Sequence, residues 1–359
     1  MSDVFEPVTI GDWTLPQRFV MAPLTRNRAG NGQVPRDIAA TYYGQRAGAG
    51  LIVAEGTQPS AVGQGYLATP GIHTPEQVEG WRAVGEAVHE RGGRLVVQLM
   101  HVGRIAHPDN KGGLESVAPS AIAAPGNMIT AEGEKPHPVP RALETDEIPG
   151  IVAEFVHAAE SAITAGLDGV EVHSANGYLL HQFLAPSSNE RTDGYGGSPE
   201  NRARLTVEVV RAVAEAIGPE RTGIRISPAH NIQGALETDP ADVAVTYAAL
   251  VDGIADLGIA YLSILGDPAG ELFQDLRSRF GGPVIANTGF SQVTDLDEVK
   301  RIVEQGQAEL VAVGREYLAN PDLETRWRTG SELNEPNPAT FYGGGAEGYT
   351  DYPTLDDAA

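Results

Sequence analysis

The sequence predicts an α/β protein built as one (β/α)8 barrel, a TIM barrel, with a capping insertion after its third strand. Three observations carry that expectation. Eight short runs rich in β-branched residues recur along the chain, most gaps between them hold a helix-like segment, and polar residues collect at the C-terminal ends of the runs. Strand and helix alternating eight times close into a barrel, and such barrels do their chemistry at the strand C-termini.

The first 19 residues precede the first strand, and Gly11-Asp12 offers the turn of a small hairpin closing the barrel bottom. Strands are expected over Val20–Leu24, Leu51–Glu55, Leu95–Met100, Gly169–Ser174, Gly223–Ser227, Tyr261–Leu265, Pro283–Thr288 and Leu310–Gly314. Thr74-Pro75-Glu76 starts a helix that ends at Gly92-Gly93, and Thr145-Asp146-Glu147 precedes an apolar-periodic run through Ala165. Ser198 caps a helix with proline at its first position, running to Ile217 and closed by Gly218. Asp239-Pro240 starts another, and Ser291 to Gly306 supplies the helix between the last two strands. Between Met100 and Thr145 lie about 45 residues rich in Gly, Pro, Ala and Ser. Connections beyond about 12–15 residues carry function or structure of their own. Residues 102–145 are therefore expected to cap the mouth and to contain a hairpin, within a single domain spanning 1–359.

Composition narrows the function. With 41% hydrophobic and 20% charged residues among 359, the chain can bury a large core. No stretch approaches the roughly 18 consecutive apolar residues of a membrane span. A net charge of −23 argues against nucleic acid or anionic membrane as partner. The absence of cysteine excludes disulfides and thiolate metal sites, and with no secretory signature at Met1-Ser2-Asp3 a cytoplasmic location is expected.

Strand topology gathers Thr25, Gln98, His173, Asn176 and Arg225 around one mouth. Alternation puts Val96, Gln98 and Met100 on one face and Glu171 with His173 on one face, while Arg225 lies opposite Ile224 and Ile226. Buried without partners, such groups are costly, and a bound polar ligand would satisfy them; so would a network among themselves. After the seventh and eighth strands, Gly289 and Gly314-Arg315 suit a phosphate, because glycine lets backbone N–H groups approach and arginine adds charged donors. The most specific cluster is His173-Ser174-Ala175-Asn176-Gly177-Tyr178. His and Asn three apart can aim donors at one oxygen, and the tyrosine can act as an acid. A metal site would have to draw on His173, Glu171, His181, His101 or His107; none has a zinc-ligand spacing, so no metal is expected.

These residues resemble the old yellow enzyme family of FMN-dependent ene-reductases. The resemblance covers nearly the whole chain. It rests on Met21-Ala22-Pro23-Leu24-Thr25-Arg26, Gly65-Tyr66, Gln98-Leu99-Met100-His101-Val102-Gly103-Arg104, the His173 to Leu180 cluster, Gly223 to Ser227, Val313-Gly314-Arg315 and Gly348 to Pro353. It implies non-covalent FMN, with Thr25 on the flavin O4 edge and Gln98 on the pyrimidine edge. Backbone around Pro23, Leu24 and Gly56 would support the ring. Arg225 would sit near N1 and O2, tuning the cofactor, and Gly289, Gly314 and Arg315 would bind the phosphate.

It further implies that His173 and Asn176 grip the carbonyl oxygen of an activated alkene while hydride from flavin N5 adds to the β-carbon. Tyr178 would protonate the α-carbon. Tyr66 and Tyr349 look like substrate-pocket aromatics. NADPH or NADH would serve as donor, since no nucleotide fingerprint separates them, and nitro compounds would be further acceptors. Many relatives carry tryptophan where this chain has Met100, which bears on pocket shape and substrate range. Two rivals stay open on sequence: an FMN barrel of another oxidoreductase type, and a barrel that binds flavin or a phosphorylated ligand without turnover.

Overall fold

Antiparallel pairing of β1 (Val8–Ile10) with β2 (Trp13–Leu15) opens the chain, turned by Gly11 at φ +50°. The computed structural model describes residues 3–290 and 293–358. Next come β3 (Phe19–Met21), β4 (Ile52–Thr57) and β5 (Leu95–Leu99). Four short strands fall in the insertion: β6 (Val117–Ala118), β7 (Asn127–Thr130), β8 (Gly133–Pro136) and β9 (Arg141–Ala142). The rest are β10 (Gly169–Ser174), β11 (Thr222–Ile226), β12 (Tyr261–Leu265), β13 (Val284–Asn287) and β14 (Leu310–Val313). A closed barrel runs β3-β4-β5-β10-β11-β12-β13-β14 and back to β3, with parallel neighbours throughout. The (β/α)8 barrel expected from the sequence is the observed fold.

Around it lie α1 (Asp37–Gln45), α2 (Pro75–His89), α3 (Ile148–Thr164), α4 (Leu179–Leu184), α5 (Pro199–Ile217), α6 (Pro240–Asp252), α7 (Glu271–Phe280), α8 (Leu296–Glu304), α9 (Arg315–Ala319) and α10 (Leu323–Thr329). Most helices legible in sequence have side-chain caps at their starts; α3, read from its apolar period, has none. Thr74 and Gln77 form a capping box on α2, while Ser198, Asp239 and Asp295 accept backbone N–H bonds at the starts of α5, α6 and α8. The sequence reading set no bounds for α1, α4, α7, α9 or α10, and none of these has a side-chain cap. Ser291, the expected start of the helix before the last strand, lies outside the described residues; α8 itself begins at Leu296. No described helix is long and apolar enough to cross a membrane.

The first strand was expected over Val20–Leu24 and is shorter. Ala22 still donates its N–H to Val313 O at 2.9 Å, but Pro23 has no N–H with which to extend the ladder. Alternation then splits the core in two. Phe19, Met21, Val97, Val172, Ile224 and Ile264 face the helices. Val20, Val53, Val96, Tyr261, Ile285 and Leu310 fill the barrel and rest on Ile10, Trp13 and Leu15 of the hairpin. At the other end the apolar filling gives way to polar side chains. There the insertion folds back: Ala124 and Met128 pack with Met100, Val102, Ile105 and Tyr178, and β7–β8 form a hairpin.

The bottom hairpin fits with little room. A Cβ on Gly11 would stand 2.4 Å from Glu220 O, and the φ of +50° is one that side chains adopt at a cost. Gly133 shares a positive φ, +110°, but has open space around it. Gly11→Ala should cost about 1–3 kcal/mol of stability, more than Gly133→Ala. Melting curves check this, and equal losses would contradict the seating of the hairpin against residues 219–221.

Candidate active site

Register between neighbouring strands assembles the mouth. Glu171 on β10 pairs with Gln98 on β5, and His173 pairs with Arg225 on β11. Gly223 makes room for the Tyr261 ring that fills the barrel below: a Cβ there would stand 2.3 Å from Cζ of Tyr261. Gln98 Nε2 donates to Glu171 Oε1 at 2.7 Å. Burial pushes the Glu171 carboxyl up, against the opposing pull of Arg225 and then Gln98. Burial lowers Arg225 in turn while Glu171 supports its charge. Arg225 Nε nevertheless has no hydrogen-bond partner.

The turn that follows β10 is fixed from three sides. Asn176 sits at φ +58°, a left-handed conformation that asparagine tolerates better than most residues. Its N–H donates to Ser227 Oγ at 2.8 Å, and its carbonyl accepts from Gln233 Nε2 at 2.8 Å. Gly177 N–H donates to His181 Nδ1 at 2.8 Å. His173 and Tyr178 are thereby brought edge to face, ring centroids 5.1 Å apart. Burial, then the Arg225 charge, holds His173 well below the usual histidine range, so the imidazole is neutral. His173 Nδ1 and Asn176 Oδ1 are buried without partners. A buried polar atom left unbonded costs about 1–3 kcal/mol. Burial raises the Tyr178 phenol, with Tyr66 and Gln233 opposing.

One cavity of about 350 Å³ joins these groups. Its walls include Pro23, Leu24, Thr25, Gln98, Met100, His173, Asn176, Tyr178, Arg225 and Arg315, all singled out in the sequence. Arg26, Phe290, Leu318, Phe341 and Tyr342 also line it and were not foreseen. A second space of about 90 Å³ shares Pro23, Leu24, Arg225, Phe290 and Arg315 with the first, and Gly289 and Gly314 wall it.

Three of the residues singled out in the sequence lie off the cavity wall. Tyr349 does not line the cavity: it is fully buried, stacked on Tyr42 at 4.0 Å, with Arg26 and Arg28 over its ring. Arg26 also donates to Phe341 O and Gly348 O, so this cluster straps the C-terminal segment that brings Phe341 and Tyr342 to the mouth. Gly56 lies beneath Met100, whose Cε and Sδ a Cβ would meet at 2.6 Å, and is not a wall of either cavity. Tyr66 stands behind Tyr178, hydroxyl to hydroxyl at 2.9 Å, rather than on the cavity wall.

Residues 3–334 match the NADH:flavin oxidoreductase / NADH oxidase family. The chain belongs to this family. It is 41% identical to a probable flavin mononucleotide-dependent alkene reductase of Leishmania infantum, over 98% of this chain and 97% of that one. It is 40% identical to 12-oxophytodienoate reductase 1 of Oryza sativa subsp. japonica, over 98% and 93%. Among solved structures, morphinone reductase superposes with a TM-score of 0.92 at 45% identity, covering 99% of this chain and 97% of the other. The old yellow enzyme homologue from Zymomonas mobilis gives 0.93 at 39%, covering 99% and 100%.

The mouth fits the FMN of this family. An isoalloxazine is a plane edged with carbonyl and N–H groups, matching a bed of Pro23, Leu24 and Leu318 bordered by Gln98, Thr25 and the unpartnered Arg225. Glycine at 314 is demanded neither by its φ of −103° nor by its neighbours, since a Cβ would meet Leu24 at an ordinary 3.6 Å. A phosphate approaching the bare backbone beside Arg315 gives it a reason.

Glu55 escaped the sequence reading of the site. It lies within β4, buried, accepting from Arg26 N at 3.0 Å, and so fixes the loop that carries Thr25. Burial pushes its carboxyl up to about 7 from an ordinary 4.5, against the pull of Arg26. The folded protein then holds a proton that the unfolded chain releases between those values. Stability from this group is full below about 4.5 and lost as pH rises through about 7. Glu55→Gln should flatten the fall in melting temperature across that window; an unchanged slope would mean that Glu55 is ionised throughout.

Proposed function

We propose that this chain uses NAD(P)H, through FMN, to reduce the C=C bond of α,β-unsaturated carbonyl compounds. Family membership and the alkene reductase and oxophytodienoate reductase relatives support the reading. Morphinone reductase has been solved with tetrahydroNAD, in keeping with a nicotinamide donor that enters the same mouth. Nitro compounds are further acceptors. No described group of three or more potential ligands is placed to hold a metal ion.

Thr25, Gln98, Arg225, Pro23 and Leu24 hold the flavin ring, and Gly289, Gly314 and Arg315 the phosphate. The chemistry this group supplies when bound is hydride transfer, from nicotinamide to alkene. The protein does the rest. The observation that carries the assignment is the placement of His173 and Asn176 beside Tyr178 on the wall of one cavity, with the His173 and Tyr178 rings 5.1 Å apart. His173 and Asn176 each offer an N–H donor to a carbonyl oxygen, where negative charge grows as hydride adds to the β-carbon. Their hydrogen bonds strengthen toward the transition state, which is what accelerates a reaction. A neutral imidazole does this as a dipole, without needing a proton from solvent. Tyr178 then delivers its phenolic proton to the α-carbon. Met100, Phe341 and Tyr342 shape the space for substrate, and the 102–145 segment caps it. A cytoplasmic location accords with the lack of cysteine.

Replacing His173 and Asn176 together by alanine should remove most enone turnover while leaving FMN bound. One such donor is worth about 10²–10³ in rate. Phenols, which mimic an enolate oxygen, should bind more weakly to the variant in a spectral titration. Near-wild-type enone turnover in the double variant would overturn the assignment.

A further inference from the structure

The two phenols at the mouth are linked in series. Tyr66 and Tyr178 lie hydroxyl to hydroxyl at 2.9 Å, with rings at 89°. Tyr178 walls the cavity and Tyr66 does not; Tyr66 is half-buried behind it. Its placement is built. Gly65 makes room for the turn, because a Cβ there would stand 2.4 Å from Ile105 O. The Tyr66 carbonyl accepts from Gln64 Nε2 and Thr69 Oγ1, each at 3.2 Å. Asn110 Nδ2 holds the carbonyl of Gly65 at 2.9 Å. Around the pair the surface is apolar, formed by Met100, Val102, Ile105, Ala106, Ala124 and Met128, except for the Gln233 side-chain amide, which reaches both phenols.

This arrangement meets a need created by the proposed reaction, on which the inference rests. Once Tyr178 has given its proton to carbon, a phenolate is left in an apolar pocket whose open side is blocked by product. Burial, first among the causes, raises both phenols, so that charge is costly there. The geometry points to Tyr66 as the positioning residue that stabilises and reprotonates Tyr178. The Tyr178 O–H bond breaks as the α-carbon C–H bond forms; the Tyr66 O–H proton then passes to the Tyr178 oxygen. Tyr66 recovers a proton from solvent at its accessible side. No electrons change hands in these steps, and the net proton comes from water.

The test compares Tyr66→Phe, Tyr178→Phe and the double variant, each as the FMN-loaded enzyme. Phenylalanine keeps the ring packing, and melting temperatures check that. Stopped-flow mixing of the reduced enzyme with a cyclic enone should show Tyr66→Phe slowed about ten- to a hundredfold, the worth of a hydrogen bond to a charged group. The solvent deuterium isotope effect on that step should rise. Reduction by NADPH or NADH, and reoxidation by a nitro acceptor that needs no carbon protonation, should be unchanged. In the Tyr178→Phe background, removing the Tyr66 hydroxyl should cost nothing more. Additive losses, equal losses in all three reactions, or no loss in Tyr66→Phe would overturn the relay while leaving Tyr178 as the acid. An unimpaired Tyr178→Phe would overturn the acid assignment and the relay together.

Discussion

Parallel register at the β5, β10 and β11 edges is the constraint on which the site depends. It sets Glu171 beside Gln98 and His173 beside Arg225. A slip of one residue on any of these strands would turn its polar side chain out among the helices and bring an apolar one to the axis. The slip is opposed from below, because Val20, Val53, Val96 and Leu310 interlock with Trp13 and the rest of the bottom hairpin. Packing at one end of the barrel thus fixes chemistry at the other.

The polar groups at that upper end differ in how they are satisfied. Gln98 and Glu171 bond each other, whereas Arg225 Nε, His173 Nδ1 and Asn176 Oδ1 are buried without partners. These residues line one cavity, and their chemistry divides along it: a cation and an amide where a flavin edge would lie, a neutral imidazole and an amide beside a phenol where an oxygen and a carbon would be served. The C-terminal strap completes the enclosure through Arg26 and Arg28, which hold the backbone of residues 340–348 and place Phe341 and Tyr342 against substrate space.

Much of this was legible in the sequence because it rests on local rules. The eight strands announced themselves by β-branched runs, the capped helices by Thr74, Ser198, Asp239 and their prolines, and the turn at the mouth by His173, Asn176 and Tyr178 at a strand end. What was missed lacks a local signal. The helices without side-chain caps, and α4 with all six residues buried, present no boundary or polar face to read. Tyr349 was placed at the pocket because an aromatic in a motif looks like a ligand contact. Its actual partners, Tyr42, Arg26 and Arg28, come from another part of the chain and draw it into the core. Gln233 and Glu55 act through backbone atoms of Asn176 and Arg26, a role that leaves no mark on residue spacing.

The central claim is that the mouth holds FMN and passes reducing equivalents from a nicotinamide to an activated alkene. The visible spectrum of the purified protein, followed anaerobically, tests it most directly. The account predicts a yellow protein that releases free FMN on denaturation, is bleached by NADPH or NADH, and regains its colour on adding a cyclic enone, which is recovered as the saturated ketone. A colourless protein that also fails to bind added FMN, or a bleached one recoloured by oxygen alone, would contradict it.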